Sequence, residues 1–96
     1  MDTERKAVLR DLRRIPGVGA TISEDLWGLG IRSVSDLRGR DPREMYERLC
    51  ELQGVHVDVC MLYVFRCAVY FASREEHDPE LLQWWAWKNR SSGWSA

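Results

Sequence analysis

The chain has 96 residues, 45% of them hydrophobic, and its 14 basic and 15 acidic side chains leave a net charge of −1. Such values describe one folded domain with one modest core, and exclude a disordered chain or two domains. They also exclude a uniformly basic nucleic-acid binder, so an anionic partner must be met by cations gathered on one face.

In chain order, segment 3–14 carries Val8, Leu9 and Leu12 on one side of a helix. Ile15-Pro16-Gly17-Val18-Gly19 then interrupts it, because Pro16 cannot extend a helix and the two glycines allow backbone angles other residues resist. Helix resumes over about 20–29, with Ile22, Leu26 and Leu29 at helical spacing and Gly30 as a left-handed stop. A short element follows at 33–38, with Ser33 as its cap. Asp41-Pro42 opens a helix that runs to about Leu52, facing Met45, Leu49 and Leu52 or their neighbours inward, and Gly54 closes it. From Asp58 to Ser73 the sequence is apolar nearly all round apart from Arg66, as expected of a helix in the middle of a domain. His77-Asp78-Pro79 repeats the cap-then-proline signal and predicts a last helix, ELLQWWAWK, with frayed chain from Arg90. No stretch alternates as a strand does. The expected fold is all-α, a compact bundle of about five or six helices, with residues 1–90 as one domain and 91–96 as a flexible tail.

The apolar run from Val59 to Ala72 is too short for a membrane span and contains Arg66. The cysteines, Cys50, Cys60 and Cys67, are odd in number, and no signal-like run precedes the first charges. Free thiols in a reducing cytoplasm are the expectation. Cys50, His56, Cys60, Cys67 and His77 lack the tight pairs of a structural zinc site. No spacing assembles a nucleophile, base and stabiliser, so neither metal, cofactor nor catalytic residue is expected.

The first turn has an echo. Leu52-Gln53-Gly54-Val55-His56 repeats the apolar-X-Gly-Val pattern of Ile15 to Gly19, and Cys60 and Tyr63 then match Ser23 and Leu26 in offset. Either a second, degenerate hairpin or a chance match of a few residues accounts for it.

Pro16 to Gly19 is where chemistry is expected. A helix N-terminus offers free N–H groups and the positive end of the helix dipole to an anion, provided that small residues let the backbone approach. Gly17 and Gly19 supply that smallness, Pro16 stiffens the turn, and Val18 can point into the core. The amides of Gly19, Ala20 and Thr21 would face a phosphate, with Arg13 and Arg14 alongside. A second basic cluster, Arg32, Arg38, Arg40 and Arg43, would add to that face if it shared it. Contacts of this kind read backbone rather than bases. With so few cations, binding is expected in the non-specific range of about 10⁻⁴ to 10⁻⁶ M.

IPGVGATISEDLWGLGIRSVSDLRGRDP resembles the helix-hairpin-helix motif of DNA repair and recombination proteins. Residues from about 10 to 90 resemble a small bacterial family described as pathogenicity-locus or mitomycin-resistance proteins, through DLWGLGIRSVSDLRGRDP, YERLC, LYVFRCAVYFA and WWAWK. The resemblance implies an all-helical fold and double-stranded DNA as partner. It departs from the strongest DNA-binding hairpins at Thr21 and Asp25, where those place Lys or Arg.

Other features have plainer readings. Arg66 is expected to pair with a carboxylate, Asp25, Asp36 or Asp58. Cys60 and Cys67 are expected on one side of a buried helix. Trp84, Trp85 and Trp87, followed by Trp94, fit base stacking of the kind single-strand binders use. However, Leu81, Trp84 and Trp85 sit at helical spacing and are expected to pack the last helix onto the domain, leaving Trp87 and Trp94 as a surface for a protein partner or a second copy. In that alternative reading the hairpin is a structural corner only.

Overall fold

The computed structural model describes residues 2–88. They form four α-helices, α1 (Asp2–Leu12), α2 (Ala20–Gly28), α3 (Pro42–Gln53) and α4 (Cys60–Ser73), and three 3₁₀ turns, Val34–Leu37, Pro79–Leu82 and Trp84–Trp87. No strand occurs among the described residues, and the fold is all-α. The expectation of five or six helices is thereby corrected. Residues 33–38 lie between two left-handed glycines, Gly30 and Gly39, and fit only one four-residue 3₁₀ turn.

The last helix is corrected too. Gln83, at φ −97° and ψ 118°, is extended and splits ELLQWWAWK into two 3₁₀ turns. Tertiary bonds explain the break: the Trp87 indole N–H donates to the Leu81 carbonyl at 2.8 Å, and the Arg66 guanidinium donates to the Trp87 carbonyl at 3.1 Å. A continuous α-helix could not turn Trp87 inward onto both. Trp87 is therefore buried and Trp85 exposed, the reverse of the sequence expectation. Trp94 and the segment 91–96 lie outside the described residues.

α3 follows its sequence signals. The Asp41 carboxylate accepts the Arg43 N–H at 2.9 Å, Pro42 takes the first turn, and Gly54 ends the helix at φ +68°. Met45, Tyr46 and Leu49 are buried, whereas Leu52 is 53% exposed and does not join the core. The Tyr46 hydroxyl donates to the Val57 carbonyl and ties the following loop back onto α3.

α4 is central, with two apolar faces. Leu62, Phe65, Val69 and Ala72 belong to the main core with Leu12, Ile15, Val18, Leu26, Ile31 and Leu37. Cys67 and Tyr70, on another side, meet Trp87. Arg66 is half-buried between these faces and binds a carbonyl, with the Tyr63 ring 5.5 Å away. No described carboxylate pairs with it in an ion bridge, which corrects the expected partner.

The cysteines separate likewise. Cys67 is buried, and desolvation pushes its thiol up to about 11; the hydrogen bond with Asp58 raises the Cys60 thiol too, but Cys60 is exposed at the start of α4. Alkylation of the native protein at pH 8 is expected at Cys60 first, with Cys67 reacting only on unfolding. Peptide mass analysis reads this directly, and early labelling of Cys67 would contradict the packing of α4 against the last turn.

Candidate nucleic-acid interface

The segment from Arg13 to Gly19 joins α1 to α2 through a run of short-range bonds. The N–H groups of Arg14, Ile15 and Val18 donate to the carbonyls of Asp11, Leu12 and Ile15, each at 3.1 Å. Ile15 and Val18 are buried and hold the turn from beneath, with Pro16 half-buried. Gly17 sits at φ +84°, where an L side chain is strained, and an added Cβ would meet Trp84 Cδ1 at 3.2 Å. The chain itself thus requires glycine at this position.

Gly19 is different. It is the N-cap of α2 at φ −99° and ψ −163°, a conformation open to any residue, and an added Cβ would meet nothing within 4 Å. No side chain caps the helix, whose first bond runs from the Ser23 N–H to the Gly19 carbonyl at 2.9 Å. Gly19, Ala20 and Thr21 are all exposed. The N-terminal amides of α2 therefore face open space, with the positive end of the helix dipole behind them.

Three cations stand beside this terminus. Lys6, Arg10 and Arg13 line a groove of about 300 Å³ between α1 and α2, together with Leu9, Ala20, Ser23 and Glu24. None of the three cations has an ion-pair partner among the described residues. Sequence reasoning found Arg13 but missed Lys6 and Arg10. The signal was present as a 6, 10, 13 spacing, one helical stripe. Glu24 pairs with Arg5 at 2.8 Å. Asp25 turns to Gln53, whose amide donates to it at 3.2 Å, and its carboxyl is held above the usual carboxylate range, first by burial and then by Glu24.

Arg14 does not share the groove. It pairs with Asp11 at 2.6 Å and lines a separate cavity with Arg38 and His77. The second basic cluster is also spent internally. Arg32 stacks 3.5 Å from the centre of the Trp27 ring, Arg38 donates to the Ala72 carbonyl at 3.0 Å, and Arg40 and Arg43 lie near Glu44 and Glu47 at 3.7 and 3.8 Å.

The echo at Gly54 gives a contrast. α3 and α4 pack together and Gly54 takes the left-handed conformation of Gly17, but α4 begins six residues after Gly54 while α2 begins three after Gly17. Cys60 is exposed where its counterpart Ser23 is buried. The Asp58 carboxylate accepts the Cys60 N–H at 2.8 Å, and hydrogen bonds there hold Asp58 below its ordinary range. The start of α4 thus holds a carboxylate of its own chain, whereas the start of α2 has no side-chain cap. No group of three His, Cys, Asp or Glu side chains able to hold a metal ion occurs among the described residues. Among those same residues, no helix is long and apolar enough to cross a membrane.

The fold and site define a small all-helical protein with an uncapped helix terminus beside a stripe of unpaired cations. The family model described as Cdd1, pathogenicity locus, matches residues 5–92, and the chain belongs to that family. It is 33% identical over 75 residues to the mitomycin resistance protein McrB of Streptomyces lavendulae, an alignment covering 78% of this chain and 68% of the relative. No solved structure matches it.

Proposed function

We propose that this chain is a non-enzymatic module that holds the backbone of duplex DNA, without sequence preference, through a helix-hairpin-helix formed by α1, the Pro16–Gly19 turn and α2. The observation that carries the reading is Gly19: nothing inside the chain requires glycine there, and a ligand approaching the α2 amides does. A phosphate oxygen fits the open terminus, and Lys6, Arg10 and Arg13 supply the neighbouring charge that the chain as a whole lacks. The free thiols suit a reducing, cytoplasmic setting.

The test is fluorescence anisotropy of a labelled duplex at three salt concentrations, using wild type and Gly19→Asp. At this extended N-cap an aspartate would accept an α2 amide, as Asp58 does for α4, and the fold would be unchanged or slightly stabilised. The same carboxylate would occupy and repel the phosphate position, so duplex affinity should fall at least about tenfold, a cost of about 1.4 kcal/mol. Stability and binding move in opposite directions. Unchanged duplex binding by Gly19→Asp would sink the assignment.

A second reading, self-association, is favoured by Leu52, Val55 and Val59, three exposed apolar side chains around the second turn. Light scattering over a range of concentrations decides it, since a monomer throughout leaves that surface without a second copy.

A further inference from the structure

We infer that Trp85 is a stacking platform for an unpaired base, and that the preferred ligand is a junction between duplex and single-stranded DNA. This rests on the hairpin reading above and adds a second contact to it.

Trp84 lies against the turn itself, its Cδ1 being the nearest atom to a Cβ placed on Gly17, at 3.2 Å. Trp85 stands edge-on to Trp84, with ring centres 5.7 Å apart and planes at 84°. An aromatic pair is thus fixed next to the phosphate-holding turn. Local geometry then decides which ring is offered. In a 3₁₀ turn side chains three apart eclipse one another. Trp84 and Trp87 both point inward, half-buried and 2% exposed, which leaves Trp85 and Lys88 to share the outer edge.

Trp85 is 57% exposed, and Trp27, Trp84 and Trp87 are each more buried. A large rigid ring held in this way serves recognition better than stability. Lys88 is also exposed, so a cation follows the ring as it would follow the backbone of a stacked nucleotide. Inside an intact duplex the base faces are already stacked on one another. An unpaired base, free to swing out and lay its face on an indole, exists where the strands part.

The test compares a blunt labelled duplex with the same duplex carrying a two-nucleotide extension of either polarity, by anisotropy at low salt, with the full chain. Wild type should bind one extended form about tenfold more tightly than the blunt form, within the range known for base–aromatic stacking. Trp85→Ala should bind both equally, Trp85→Phe should keep most of the preference, and all three should bind the blunt duplex alike. If wild type binds duplex without preferring the extension, or if the preference survives in Trp85→Ala, the platform is wrong and the hairpin reading stands. If no DNA is bound even at low salt, both fall.

Discussion

Replacing Lys6, Arg10 and Arg13 together by glutamine is expected to remove almost all the salt dependence of duplex binding. Each cation on a phosphate of B-form DNA contributes about 0.9 to the slope of log affinity against log salt, so three contribute about 2.7. Over a fourfold rise in salt, wild type should lose about 40-fold in affinity and the triple variant almost nothing. The fold should survive. Glutamine is close to lysine and arginine in helix propensity, and these three side chains make no ion pair for the substitution to break. Circular dichroism establishes the helix content, and anisotropy across salt gives the slope. A triple variant that keeps the wild-type slope would mean that DNA, if bound, lies elsewhere.

Phe65→Ala should have the largest effect on stability. Phe65 is fully buried in α4, where the main core closes. Removing a buried phenylalanine costs about 3–5 kcal/mol in lost transfer energy and residual cavity. A domain of this size is stable by only about 5–15 kcal/mol, so the variant should sit near its unfolding midpoint in modest urea. Denaturation followed by circular dichroism should show a much lower midpoint at similar slope. Leu52→Ala, at an exposed position, should stay within about 0.5 kcal/mol of wild type. A Phe65→Ala midpoint close to wild type would mean that α4 is not central.

The sequence signals that translated into structure are those with a local mechanism. Asp41, Pro42 and Gly54 delimit α3 because cap, fixed φ and left-handed stop act within one turn of chain. The break at Pro16 and Gly17 and the apolar character of α4 are equally local. What could not be read was decided by distant partners. Helical spacing assigned Trp84 and Trp85 inward, but Gln83 breaks the helix where Trp87 turns toward Leu81 and Arg66. Arg66 was expected to seek a carboxylate and found a carbonyl from a segment the pattern had drawn as helix. Arg32 and Arg38 are close in sequence to other cations, yet each is drawn to a separate structural task, one on Trp27 and one at the end of α4. The candidate site was half legible. The turn announced itself through its glycines, whereas Lys6 and Arg10 matter because folding brings α1 alongside Ala20.

The contact between Gly17 and Trp84 has a consequence for how the protein is made. Synthesis delivers α1, the first turn and α2 first, and at about 5–20 residues per second Trp84 follows them from the ribosome only after several seconds. Until then the turn has no indole against it, even after α4 has arrived to complete the core beneath Ile15 and Val18. The first turn is therefore packed only once the last aromatic turn has been made. A nascent chain that has not reached Trp84 carries the turn without the indole that packs on Gly17, so the final packing of that turn waits on translation through the last aromatic turn.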